Sequence, residues 1–317
     1  MSGEMVKIVR YDASLKQQWD EFVGTAKNSS FLHRRDYMDY HSHRFTDYSL
    51  MAYQGDRLVA LLPANREGRV LYSHQGLTYG GWIMPLLHFN VVVMLRVMDA
   101  AVEYLKADGI EAIEYRAMPH IYHTYPAEED LYALFRHGAE LAVSNVSSTI
   151  DLSSPLHFNT GAKSSVAYAR KNGVSVGESD RFADFWQVLS QLLRERYDAA
   201  PVHSLDEILL LKSRFPGEIR LYAAEKDGEL LGGIVTYRIG TVIHSQYTAA
   251  TQTGWKYRVI PAIYNHILQN ESSGCRYLDF GISNEDRGRY LNEGLVLQKC
   301  GMGGRAIVYN TYKITLR

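Results

Sequence analysis

The hydrophobic pattern of this chain is written twice, and a duplicated pattern restricts the possible architectures more than composition does. Residues 6–10 alternate as a short strand, and residues 173–178 do the same. Residues 15–23 place Leu15, Trp19, Phe22 and Val23 on one helical face, and residues 182–197 repeat this with Phe185, Trp186, Leu189, Leu192 and Leu193. A second helix is expected at 35–43 and again at 205–215, where Ser204 and Glu207 stand at the spacing of a capping box. An antiparallel meander follows each time, 48–53 with 57–65 around Gly55-Asp56, and 219–225 with 230–239 around Asp227-Gly228. Third strands are expected at 70–74 and 242–249, each followed by a Gly-Trp loop, Gly81-Trp82 and Gly254-Trp255. Long helices at 90–105 and 256–269 then lead through Gly109 and Gly274 into apolar strands at 110–116 and 275–280. Each copy closes with a short helix and a last strand, near 141–152 and 306–316.

The two copies keep a nearly constant offset. Trp19 and Trp186 are 167 positions apart, Gly55 and Gly228 173, and Gly109 and Gly274 165, too regular a series for coincidence. The expected division is therefore one α/β unit at 1–152 and a second at 161–317, each built on a mixed sheet. A Ser/Pro/Asn-rich linker at 153–160 joins them, and a helix at 162–172 opens the second copy. A chain of 317 residues suits two domains of ordinary size.

Charge removes several classes of function. Lys and Arg total 34 against 35 Asp and Glu, so no basic excess draws the chain to DNA or to anionic lipid over long range. Cys275 and Cys300 are far apart and in no metal-like spacing, which suggests neither a disulfide framework nor a zinc site and fits the reduced cytosol. Residues 1–12 lack the apolar stretch of a signal peptide, and the most apolar window, 91–97, is interrupted by Arg96 and too short to span a bilayer. A soluble, cytoplasmic protein without a membrane span is expected.

Several residues near the C-terminus narrow the reading. The stretch Tyr277-Leu-Asp-Phe-Gly-Ile-Ser283, then Leu291-Asn-Glu-Gly-Leu295, then Lys299 with Gly301, Gly303 and Gly304, resembles the ending of the Fem-like branch of the general amine N-acetyltransferase (GNAT) superfamily. Arg170-Lys-Asn-Gly-Val174 and the order strand, two helices, meander, long helix, strand, helix, strand are similar to that branch as well. The resemblance covers nearly the whole chain. It implies two tandem acyltransferase units related by a pseudo-two-fold, and transfer of an acyl group to an amine. It also implies that the donor enters where the third meander strand splays from its neighbour, with the donor phosphates at the start of the long helix. Lys299 falls where the branch has a lysine assigned to an anionic substrate.

In the second copy those places are residues 246–249 and 254–258. Gly254, Trp255, Lys256 and Arg258 are the candidate coenzyme-binding residues, the two cations facing pyrophosphate. The usual basic residue before a Gly-x-Gly turn is absent from both copies, and the first, Gly80-Gly81-Trp82, carries no cation, so it is expected to be scaffold. Direct transfer needs a base for the amine and an acid for the leaving group. His244 on the splaying strand is the candidate base, Tyr247 the candidate acid, and alternation places Gln246 on the face of His244 with Tyr247 opposite. Asp279, in an apolar strand, requires a partner, either a side chain or a substrate amine. Asn284, Arg287, Arg289, Tyr290 and Asn292 concentrate donors beside Lys299 and suit a carboxylate, phosphate or sugar on the acceptor.

Other signals carry less. Gly173-Val-Ser-Val-Gly177 has the letters of a nucleophile elbow but reads as the opening strand. Gly161-Ala-Lys-Ser164 lacks the upstream glycine of a phosphate loop and reads as a helix start. His33, His41, His43, His120 and His123 have no carboxylate-supported metal spacing, so no metal is expected. Tyr122 and Tyr125 suit either a sugar cleft or packing. Three functions remain: an N-acyltransferase using acyl-coenzyme A on an amine such as an amino sugar or a cell-envelope precursor; a Fem-type aminoacyltransferase drawing on charged tRNA; or a non-catalytic binding protein whose donor clefts have decayed.

Overall fold

The computed structural model describes residues 5–316, with Tyr197 described by its backbone alone. Residues 1–4, the start of the stretch read for a signal peptide, lie outside them. In chain order the first half forms β1 (Val6–Arg10), α1 (Lys16–Thr25), α2 (Arg35–Met38), β2 (Leu50–Gln54), β3 (Arg57–Leu62), β4 (Asn65–Glu67) and β5 (Val70–Tyr72). It continues with α3 (Val91–Ala107), β6 (Ala112–Arg116), α4 (Glu129–Arg136) and β7 (Glu140–Asp151). The second half forms α5 (Thr160–Lys171), β8 (Ser175–Ser179), α6 (Phe182–Tyr197), α7 (Leu205–Arg214), β9 (Ile219–Lys226), β10 (Glu229–Ile239) and β11 (Val242–Ala250). It ends with α8 (Gln252–Tyr257), α9 (Val259–Asn270), β12 (Tyr277–Ile282), β13 (Asn284–Glu285), β14 (Tyr290–Leu291), α10 (Glu293–Gly301) and β15 (Arg305–Thr315). The fold is mixed α/β, as the pattern predicts.

The two compact units do not follow the expected cut at 152/161. One holds the chain up to Asn145, Asp286–Arg289 and the chain from Val308; the other holds Val146–Glu285 and Tyr290–Ile307. Each last strand thus begins in one unit and ends in the other. Hydrophobic periodicity reports which face of a strand is buried, not whose core buries it.

In the first unit β1, β2 and β3 form an antiparallel meander, and β4, β5, β6 and the end of β15 are hydrogen-bonded in that order in another sheet. Its core gathers Leu50, Val59, Leu71, Met94, Val97, Leu105, Ile113 and Ile314. Helix α3 starts one residue later than expected because Asn90 is its N-cap, accepting from the amides of Val92 and Val93.

In the second unit the strand order is β7, β12, β11, β10, β9, β8. Alternation splits its faces: Tyr222, Ala224 and Ile234 join Ile260, Ile263 and Ile267 of α9 in one core, while Leu221 lies with Phe185 of α6 around Gly233. The capping box at α7 is formed, Ser204 Oγ accepting from the Glu207 amide and the Glu207 carboxylate from the Ser204 amide. The Gly161 segment is a helix start capped by Asn159, and the Gly173 segment runs into β8.

The long helix expected at 256–269 is a correction: it is two helices, α8 and α9, broken at Arg258, whose φ of 59° is left-handed. Thr251 caps α8, its hydroxyl accepting from the Gly254 amide at 2.9 Å. The strand expected to run to residue 74 ends at Tyr72.

Candidate active site

Strand β11 runs parallel to β12 for three rungs only, Val242 with Tyr277, Ile243 with Leu278, and His244 with Asp279. Beyond His244 the pairing stops, while β11 stays on β10 as far as Ala250 and β12 stays on β7 at Ile282. The strands therefore fork at the last rung. A β-bulge at Gln246, where Val235 and Thr236 face Tyr247 and Ser245 with one residue skipped, bends β11 at this point. The bulge corrects the alternation read from sequence: Ser245 and Thr248, three apart, both reach the Tyr264 hydroxyl.

The last rung brings together two of the residues picked out in the sequence. His244 Nδ1 lies 3.0 Å from Asp279 Oδ2. Asp279 is wholly buried, and its other oxygen accepts from Ser147 Oγ at 2.5 Å, Thr149 Oγ1 at 3.1 Å and the Gly281 amide at 3.2 Å. A carboxylate so supplied with donors stays an acceptor for the imidazole, which fixes the proton on Nδ1 and leaves Nε2 as the basic nitrogen.

Lys299 joins this group from α10, but not as a surface charge. Its ammonium is buried and donates to the carbonyls of Gly281 and Ile282 at 2.7 and 2.9 Å and to Ser283 Oγ at 2.9 Å. Burial lowers its pKa to about 8, against an opposing pull from Asp279. The three contacts tie the end of β12 to α10.

Tyr247 goes elsewhere. Its hydroxyl is hydrogen-bonded to Nδ1 of His203, and its ring meets Trp186 edge-on at 5.2 Å. His203 and Tyr264 were not picked out from sequence. An isolated loop histidine and a helix tyrosine give no signal, although the offset of 170 between His33 and His203 repeats that of the tryptophans. Trp19 donates to the His33 carbonyl at 2.8 Å, and Trp186 to the His203 carbonyl at 3.0 Å.

The substrate-binding set divides. Asn284 accepts from the Val146 amide at 2.6 Å, and Asn292 caps α10 by accepting from the Leu295 amide, so both side-chain oxygens hold backbone. Asp286–Arg289 groups with the first unit, where Arg287 pairs with Glu114 at 3.4 Å. Arg289 and Tyr290 are exposed. Of the coenzyme-binding set, Gly254 is corrected as a phosphate cradle: its amide already serves Thr251, and a Cβ there would lie 2.0 Å from the Leu231 carbonyl oxygen. It is a glycine because α8 packs directly on β10. Trp255, Lys256 and Arg258 are exposed; Arg258 lies over the Tyr168 ring at 5.1 Å and Arg196 over the Trp255 ring at 5.4 Å.

The first unit has the same fork without the same chemistry. β5 pairs with β6 through Tyr72 and Glu114, the rung corresponding to His244 and Asp279. Beyond it the chain fills its own gap: the Gly80 amide donates to the Arg116 carbonyl at 3.1 Å, and the Trp82 amide to the Tyr115 hydroxyl at 2.6 Å.

Residues 162–290 match the family model of the acetyltransferase (GNAT) domain. The fold is that of the tandem, Fem-like GNAT proteins. The chain is similar to the crystal structure of FemX, with a TM-score of 0.70 and 12% identity over 98% of this chain and 97% of that one. It is similar to L-PGS from Bacillus licheniformis, with a TM-score of 0.63 and 13% identity over 94% and 91%. A tandem GNAT protein from the clavulanic acid biosynthesis pathway aligns at a TM-score of 0.52 and 12% identity over 98% and 99%. At such identities the likeness is one of fold. No curated protein matches the chain in sequence. The stretch that matches the acetyltransferase (GNAT) domain covers the forked strands, α8 and α9. Among the described residues no helix is long and apolar enough to cross a membrane.

Proposed function

We propose that this GNAT protein is an N-acyltransferase that moves an acyl group from an acyl-coenzyme A to an amine, by direct transfer at the fork of the second unit. The observation that carries the reading is the His244–Asp279 pair on the last rung before the strands part. The amine attacks the acyl carbonyl, a C–N bond forms, and the C–S bond breaks, releasing the coenzyme as a thiolate that takes its proton from water. His244 Nε2 takes the amine proton, while Asp279 holds the imidazole in the required tautomer. The edge of β11 left without β12 offers amides to the carbonyl oxygen as its charge develops. Lys256 and Arg258 suit the donor phosphates, and an amino sugar or cell-envelope precursor suits the acceptor amine.

One observation favours a second reading, an aminoacyl group delivered by tRNA. Helix α8 occupies the stretch where a coenzyme loop is expected. Residues 152–177 and 230–270 contain no acidic side chain, Arg258 there lies over the exposed Tyr168 ring, and Arg196 from α6 lies over the exposed Trp255 ring. Basic and aromatic groups so interleaved suit an RNA backbone.

The test is to incubate the chain with acetyl-coenzyme A and a panel of amines, following free thiol, and in parallel with charged tRNA, following label. Thiol release that disappears in His244→Ala supports the first reading. Label transfer without thiol release favours the second. Neither signal, with any donor, leaves a binding protein.

A further inference from the structure

Residues 245–250 of β11 lie beyond the fork, paired with β10 on one edge and without β12 on the other. A strand limb with a bulge and one ladder is held less firmly than a central strand. Here side chains fix it from both faces. On one face the buried Tyr264 of α9 donates to Ser245 Oγ at 3.1 Å and lies 3.4 Å from Thr248 Oγ1. On the other, Tyr247 is hydrogen-bonded to the buried His203, whose own carbonyl is held by the Trp186 indole at 3.0 Å.

The first unit supplies the contrast. It keeps the tryptophan–histidine bond, and His33 faces Tyr79 at 6.3 Å between ring centres. Tyr79, however, sits in the loop after β5, not on a strand bordering an open fork. The tryptophan–histidine bond alone fixes a loop in either unit; its extension onto the fork strand belongs to the second.

We propose that His203 and Tyr264 are positioning residues that clamp the outer limb of β11 from its two faces and so hold the fork in the geometry transfer requires. Neither need touch the reacting atoms. The effect on turnover rests on the reading of the fork as the transfer site; the clamp itself does not.

Hydrogen exchange of the full chain, without substrate, reads the clamp directly. Tyr264→Phe removes only a hydroxyl, His203→Ala removes the imidazole, and His203→Asn returns a polar atom near Nδ1. Amides of residues 245–250 should exchange at least about tenfold faster in the first two variants, with most protection returned in the third. With acetyl-coenzyme A as probe, kcat should fall by about tenfold while KM for the amine stays unchanged. Exchange within about twofold of the parent in both Tyr264→Phe and His203→Ala overturns the clamp, whatever happens to turnover. Faster exchange in the two variants, where the parent itself transfers nothing, upholds the clamp and sinks the acyltransferase reading instead.

Discussion

His244 and Asp279 are 35 residues apart in sequence and meet at 3.0 Å on the last rung of β11 and β12. The carboxylate is wholly buried, with Ser147, Thr149 and the Gly281 amide on its second oxygen, so the imidazole is oriented by a group that is itself held in place. If this pair is the base of the reaction, His244→Ala and Asp279→Asn should each lower kcat by about 10²–10⁴-fold with KM for the donor little changed. Tyr247→Phe keeps the ring against Trp186 and should cost far less. Steady-state rates of thiol release check all three, and a His244→Ala protein as active as the parent would remove the proposed base.

Lys299→Met keeps the length of the side chain but leaves the Gly281 and Ile282 carbonyls without their donor. A loss of about 1–3 kcal/mol is expected in urea denaturation. The pH dependence has a definite sign. Burial lowers Lys299 from 10.5 to about 8, so between those values the unfolded chain binds the extra proton. The parent should therefore gain stability as pH rises from about 8 to 10.5, a gain missing from the variant.

Asp130 in the first unit has the opposite slope. Its carboxyl is buried, with Tyr115 donating at 2.5 Å and the Leu131 amide at 2.9 Å, and burial pushes its pKa up to about 7. The folded chain binds the proton more tightly than the unfolded one between about 3.8 and 7, so stability falls as pH rises through that window. Asp130→Asn should abolish this slope, so its Tm relative to the parent should rise between pH 4 and pH 8 by more than about 2–4 °C, the shift that roughly 1 kcal/mol produces. Calorimetry from pH 4 to 8 reads it.

Gly254→Ala should destabilise by about 1–3 kcal/mol, because the new methyl meets the Leu231 carbonyl at 2.0 Å and backbone must shift. Lys256→Ala, at an exposed position two residues on, should leave Tm unchanged while raising KM for the donor. A Gly254→Ala protein as stable as the parent would show that α8 is not packed on β10 as described.

The sequence by itself determined the order of elements in both copies, the capping box at Ser204 and the turns, because periodicity and turn chemistry are local properties that each segment carries with it; the tandem fold it implied through its resemblance to a known family. It also marked His244 and Asp279 separately, one as a polar residue on a splaying strand and one as a charge in an apolar run. Only the tertiary structure decided that they are partners, since strand register places them on one rung. It alone showed that Lys299 spends its ammonium on carbonyls, that Gly254 faces Leu231 and not a phosphate, and that the last strands change units at Val146 and Val308. The bulge at Gln246 was equally out of reach: one skipped residue resets which side chains share a face, and that skip depends on β10 alongside it.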